Sequence, residues 1–506
     1  MKRIIIFLHT ILAVFALSSC SNFEDINANP DTSNKVTAAM LCTDVTLSTI
    51  KNAGDAKSYI APNGLAKYIG YTEGLLAEQY NDIGNISFSS MTVLPNLDKM
   101  VQYASESYDN DNSYRGVALF VKSYIFFRLT MQVGDIPFTE ANKVNDAVYR
   151  PKYDTQEQVF IGILDSLKKA DQYFAQGASF DGDPIYNGDP AKWRKATNTL
   201  ALKVLMSLSK KADVTSLNVK SRFQAIVSAG NLMASNDDNY ELKYADNSGQ
   251  YHPLYTTGTS IFTPATLPGT LLVDNLKALN DYRLFYYTDP SVVKLGDGLA
   301  EDDYNAYLGV DVTQSYAQMQ AILSSGDYSP LNTRYATLPA SEPRILLSYG
   351  EQQLILAEAV LRGWISGDAK TYYETGVSAA LAFVGATDPN FCHGRQITSD
   401  YIANYFTGEA AFKTTADDQM KQIWMQRYLL NFMQDPQFSY FEYRRTGYPV
   451  FPVDPSTNLN VENTKIPMRY LYPTSETDYN IDNLTAALNS QYDGYDEVNK
   501  IMWILK

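Results

Sequence analysis

Three histidines, three cysteines and 56 acidic residues carry most of the acid–base, nucleophilic and metal-binding chemistry available to this 506-residue chain. A Ser-His-Asp hydrolase needs an imidazole beside both a serine and a carboxylate. Here His9 lies in an apolar N-terminal run, and His252 and His393 stand isolated. No Gly-x-Ser-x-Gly, His-Glu-x-x-His or P-loop pattern occurs. Cys392-His393 offers two neighbouring ligands, too few for zinc, and reads as a loop dipeptide. Asp109-Asn110-Asp111-Asn112-Ser113 has the alternating oxygens of a calcium loop. However, Tyr114 occupies the glycine position and Phe120 the place of the bidentate glutamate, so the run reads as a solvated helix start. No cofactor and no metal is implied. Paired carboxylates for glycoside hydrolysis stay open, because their separation in space decides that chemistry.

The third cysteine offers a different chemistry. Lys2 and Arg3 precede an apolar run of 14 residues, Ile4 to Leu17, too short to span a bilayer comfortably. The run ends in Leu17-Ser18-Ser19-Cys20, small residues before a cysteine, which resembles the cleavage box of a bacterial lipoprotein. Cys20 would then be the lipidated N-terminus, and several acyl chains hold nearly irreversibly at about 0.8 kcal/mol per methylene. The alternative is an ordinary secretory peptide with an incidental cysteine. Both readings export the chain. If Cys20 is acylated, Cys42 and Cys392 remain, and two unpaired buried thiols are expected ahead of a bridge.

Loss of residues 1–19 removes Lys2 and Arg3 and takes the net charge from −15 to −17. Such a body repels phosphate backbones, so nucleic acid is not an expected partner. No later segment approaches 18 uninterrupted apolar residues. The compositional outlier is tyrosine, 38 residues against 22 Phe and 4 Trp. A tyrosine combines a flat apolar face with a polar tip and few torsions to freeze, which suits binding of sugars and similar ligands. Most of these tyrosines are nonetheless expected at core edges.

The elements that must position these groups are mainly helices. Residues 20–34 read as a polar tether, and one domain over 35–506 follows. A first helical block spans about 35–235. Tyr114, Val117, Val121, Tyr124, Ile125 and Arg128 recur at helical spacing, with a stop expected at Gly134 and Pro137 just beyond. Thr155 and Gln158 form a capping-box pattern ahead of Phe160, Ile163, Leu164, Leu167 and Phe174. Asp189 and Pro190 open a further helix with Trp193, Ala196, Leu200 and Val204 on one stripe. Residues 236–344 read as a loop-rich insert with short periodic pieces at Leu271 to Leu279 and Tyr316 to Leu323. Ordered loops of that length are usually functional. A second helical block covers about 346–445: Glu351 to Trp364, a helix capped by Asp368, and one over roughly 415–432. The tail 446–506 reads as an irregular cover. Paired amphipathic helices of this length predict a mostly α fold of tetratricopeptide-like stacked pairs, although no clean 34-residue period is visible.

Six segments, in order, resemble the SusD/RagB family of nutrient-binding outer-membrane lipoproteins, in its SusD-like branch. Phe23-Glu24-Asp25-Ile26-Asn27-Ala28-Asn29-Pro30 is close to the branch's "DIN-x-NP" opening. Tyr124 to Leu129 leads into Gly134-Asp135-Ile136-Pro137-Phe138-Thr139-Glu140-Ala141, similar to "GD-x-PY-x-EA". Trp193 to Leu200 matches "KW-x-KA-N-S-L", and Leu356-Ala357-Glu358-Ala359 with Arg362-Gly363 matches "LAEA…RG". Arg444-Arg445-Thr446-Gly447-Tyr448-Pro449 and Ile466 to Pro473 match the C-terminal motifs. Asp281-Tyr282-Arg283-Leu284 departs from the usual Asp-Pro-Arg, and Phe138 replaces a tyrosine. The resemblance implies a SusD-like fold and a non-catalytic surface lipoprotein. Such a protein binds an oligosaccharide, or a peptide as in the RagB branch, and passes it to a SusC-type TonB-dependent outer-membrane transporter. Glu24 and Asp25 resemble the acidic signal that sends such lipoproteins to the cell surface. Arg444 and Arg445 are expected as scaffold, with forks suited to carboxylates or carbonyls. A surface glycosidase is the competing reading.

The resemblance does not carry ligand residues, so these are read from loop composition. Tyrosines among turn-forming residues are the expected platform: Tyr80 with Asn81, then Tyr251, His252 and Tyr255, then Tyr304, Tyr307, Tyr328 and Tyr335. Tyr286 and Tyr287, beside the family-like Asp-x-Arg-Leu, are expected as scaffold.

Overall fold

The structure is a computed structural model that describes residues 35–52 and 54–506. The expected cleavage box at Cys20 and the whole tether, residues 20–34, lie outside the described residues. Helices of ten or more residues dominate: α1 Ala38–Ile50, α2 Ala56–Leu65, α3 Leu94–Ser107, α4 Asn112–Val133, α5 Gln156–Ala175, α6 Pro190–Ser207, α7 Val219–Ala229, α8 Tyr316–Ser325, α9 Tyr349–Leu361, α10 Ala369–Gly385, α11 Ala416–Leu430, α12 Pro436–Thr446 and α13 Ile481–Tyr492.

Local signals set several ends. The Thr155 hydroxyl accepts from the Gln158 amide, and Gln158 reaches back to the Thr155 amide, so α5 opens with a complete capping box. The Asp189 carboxylate caps α6 with Pro190 in the first turn, and Asp368 caps α10. α4 stops at Gly134, where φ is +98°. The stripes Phe160-Ile163-Leu164-Leu167-Phe174 and Trp193-Ala196-Leu200-Val204 are buried throughout. By length and composition α4 could cross a membrane, but 67% of its apolar window is buried inside the fold.

Consecutive helices pack on one another from α3 through α7, α6 meets α9, and α9 packs on both α10 and α11. This is the expected stacking of helix pairs. α9 and α10 touch backbone to backbone: a Cβ on Gly376 would lie 2.8 Å from the Gly350 carbonyl oxygen.

Two short antiparallel ribbons tie the middle of the chain to this stack. β1 Ile69–Tyr71 pairs with β3 Thr266–Pro268, and β2 Tyr240–Leu242 pairs with β4 Arg344–Leu347 across a bulge at Tyr240/Glu241. The expected loop-rich insert is therefore more deeply integrated than its composition indicates, and Leu272, Leu276, Leu284, Phe285 and Tyr286 are fully buried. The tail also differs from the expected irregular cover. It contains α13, whose Leu484 and Leu488 are buried.

Charge is buried at the helix junctions. Glu351 and Glu358 of α9 face Arg427 of α11 and Arg445 of α12; Arg445 holds both Glu358 oxygens, at 2.6 and 2.9 Å. Lys203 of α6 lies 2.9 Å from Glu351 and 3.7 Å from Asp435, which also accepts from Arg128 of α4 at 2.8 Å. Arg444 instead donates to the Met468 and Met131 carbonyls. The expected scaffold role of both arginines is what the structure shows. Cys42 and Cys392 are buried free thiols, and burial pushes the Cys42 thiol up to about 12.

Candidate functional site

Most of the loop tyrosines face inward. Tyr335 is fully buried, with Arg334 4.0 Å above its ring. Tyr307 is fully buried and donates to the Glu301 carbonyl at 2.7 Å. Tyr328 donates to the Pro264 carbonyl and belongs to a small core with Leu267, Val310, Val312 and Met319. Tyr80 is buried and donates to the Gln314 carbonyl. Asn81, at φ +63°, accepts from the buried Lys67 ammonium at 2.7 Å and donates to Asn458. Tyr304 packs its ring 4.9 Å from Phe285.

His252 sits among Tyr59, Tyr244 and Tyr335, with ring centroids at 5.5, 5.2 and 5.6 Å. Its Nδ1 accepts from the Leu254 amide. Burial and the nearby Arg334 push its pKa down to about 3, so the ring is neutral. A ring enclosed on all sides offers no stacking face. Of the expected platform, only Tyr251, 39% exposed, and the half-buried Tyr255 present a shared surface, with ring centroids 4.9 Å apart.

Neither ring lines the nearby cleft of about 1120 Å³. The His252 amide donates to the Pro339 carbonyl and the Thr256 amide to the Ala336 carbonyl, fixing the Tyr251 loop along the 336–339 segment. Pro339 and Asp246 themselves line the cleft. Lys192, Lys243, Asn236 and Asp246 supply polar groups, and Tyr186 and Phe383 supply aromatic surface. Asp183 holds the Tyr186 turn by accepting from the Tyr186 and Gly188 amides and the Trp193 indole. Burial raises the lining carboxyl of Glu241, with Lys243 opposing. An open groove of about 660 Å³ shares Asn236 and Ala382 with the cleft and runs along α10 past Tyr349 and Phe406.

No imidazole or thiol lines either space; the cleft offers hydrogen bonding and aromatic contact together with the carboxyl groups of Asp237, Glu241, Asp246, Glu342 and Asp388. Among the described residues no group of three His, Cys, Asp or Glu is placed to hold a metal ion. Sequence reasoning missed the cleft because four segments build it, 184–192, 236–246, 338–343 and 382–388. Its only local signal is their Asn, Asp and Pro content.

A family model described as "Starch-binding associating with outer membrane", SusD-like_2, matches residues 30–473. A SusD homologue of Bacteroides fragilis is 42% identical and superposes with a TM-score of 0.89, covering 93% of this chain and all of that one. A candidate outer-membrane protein of Bacteroides vulgatus with a suggested role in nutrient binding is 33% identical, at TM-score 0.83 over 93% of this chain and all of its own. A chitin-binding protein shares the fold at 22% identity and TM-score 0.72, over 93% of this chain and all of its own. No curated protein sequence matches the chain.

Proposed function

The chain belongs to the SusD-like family of starch-binding proteins that associate with the outer membrane, and from that membership we propose that it is a non-catalytic glycan receptor on the cell surface. It is exported by residues 1–19, anchored by lipid on Cys20 and spaced from the membrane by residues 20–34. It captures an oligosaccharide and delivers it to a SusC-type TonB-dependent transporter. Sugar rings present apolar C–H faces to aromatic rings and hydroxyls to amides and charged groups. The cleft supports this reading, because Tyr186 and Phe383 line it beside Asn236, Lys192 and Asp246, and the Tyr251 loop is tied to its wall through the His252 amide on the Pro339 carbonyl.

A screen of the purified chain against soluble glycans and peptides tests the proposal. The expected result is saturable binding of an oligosaccharide without release of reducing sugar. Phe383→Ala and Tyr251→Ala should each weaken that binding by roughly 1–3 kcal/mol. Release of reducing sugar would establish the glycosidase, and binding of peptides alone would establish a RagB-like receptor. Unchanged affinity in both variants would move the site away from the cleft.

A further inference from the structure

A separate pocket of about 220 Å³ lies between α2, the turn 433–437 and β4. Arg128, Arg344, Asp435, Tyr59 and Ser58 are among its walls. We propose that this pocket is a receptor for a small oxyanion, a carboxylate or a phosphate, gripped by the Arg344 guanidinium.

The argument starts from how this fold treats its other enclosed arginines. Arg283 is 2.6 Å from Asp281, Arg334 2.6 Å from Glu342, Arg445 2.6 Å from Glu358 and Arg469 2.6 Å from Asp496. Arg128, in the same pocket, uses one nitrogen on Asp435 and another on Gln437. Arg444, which has no carboxylate, donates to two carbonyls instead, whereas the half-buried Arg344 has neither kind of partner. Among the described residues it has no carboxylate within 4.0 Å and its side chain makes no hydrogen bond. Its Nε is buried without a partner, as are those of Arg427, Arg444 and Arg469, but these three place their other nitrogens on carboxylates or carbonyls. Its one defined side-chain contact is the Tyr59 ring, 5.8 Å from the guanidinium carbon. A guanidinium presents five donors in a planar fork, and leaving buried donors unmet is costly. A bidentate oxyanion meets that need.

The surroundings keep the fork free. Tyr59 commits its hydroxyl to the Met433 carbonyl. Gln434 is held between the Ile345 amide and Glu342. Glu342 is occupied by Arg334, and Asp55 caps the Ser58 amide at the rim. Asp435, the one carboxylate among the described residues lining the pocket, pairs with Arg128 and Lys203 and feels the Arg344 charge only at longer range. The wall therefore carries two guanidinium charges against one carboxylate, in a chain of net charge −15. The volume admits an anion with a few carbons attached, and this site is distinct from the glycan cleft.

Titration calorimetry on the purified full chain tests the assignment, with sodium acetate in one arm and inorganic phosphate in the other at constant ionic strength. Saturable binding in one arm is expected and identifies which oxyanion chemistry the pocket takes. Arg344→Gln should weaken it roughly tenfold or more, and Arg150→Gln, an exposed arginine outside the pocket, should leave it unchanged. Ser58→Trp blocks the exposed rim and decides the matter if Arg344→Gln does not fold. Absence of saturable binding in both arms, or unchanged affinity in a folded Arg344→Gln or in Ser58→Trp, would overturn the proposal.

Discussion

Glu358 is fully buried with Arg445 at 2.6 Å, Arg362 at 2.7 Å and Arg427 at 3.6 Å. Burial alone would raise its carboxyl, but these three guanidinium groups hold it at about 2, against 4.5 for a free glutamate. The folded value is the lower one. Its contribution to stability is therefore complete above about pH 4.5 and is lost as the pH falls toward 2. Glu358→Gln leaves buried guanidinium charge without its counter-ion and should cost about 3–5 kcal/mol in urea unfolding at neutral pH; a cost under about 1 kcal/mol would mean that water replaces the carboxylate. His252 acts in a higher window. Its folded pKa of about 3 lies below the ordinary 6.5, so stability is held above pH 6.5 and lost as the pH drops. At pH 5 the penalty is roughly 2 kcal/mol, from about 1.4 kcal/mol per unit. The melting temperature of His252→Gln should accordingly fall less between pH 6.5 and 5 than that of the parent; parallel curves would show that the enclosed imidazole does not control this range.

Between elements, the α9–α10 crossing depends on the absence of side chains where two backbones meet. Gly376→Val places a branched side chain within about 3 Å of the Gly350 carbonyl. It should lower stability by roughly 1–3 kcal/mol. Because α10 carries Phe383 into the cleft, glycan affinity should fall with it. A melting curve and a binding isotherm on the same variant check both effects, and an unchanged melting temperature would mean the crossing tolerates a wider gap. The starts of α5, α6 and α10 and the stop of α4 were legible in the sequence because Thr155, Asp189, Asp368 and Gly134 act within one turn. The inward turn of the loop tyrosines was not. Tyr335 faces the core because His252 and Arg334 receive it there, with Tyr59 of α2 on the other side of the imidazole. Nothing adjacent to Tyr335 in the chain records that arrangement. α13 was missed for a related reason: Leu484 and Leu488 are spaced correctly, but they sit among Asn, Asp and Tyr residues that read as turns.

At the scale of the whole molecule, the proposed membrane attachment runs through Cys20. Cys20→Ala should move the protein out of the detergent phase on fractionation, and unchanged partitioning would show that another feature holds it. Gentle extraction should recover a large β-barrel with the protein, and recovery of the protein alone would remove support for the transporter. The buried charge junction has a further consequence, for the order of synthesis. Lys203 waits for a partner 148 residues later, and Arg128 for one 307 residues later. A chain still emerging from the ribosome has made these cations long before Glu351 and Asp435 exist. The buried positive charge of the N-terminal helices is therefore neutralised only by residues of the last third of the chain.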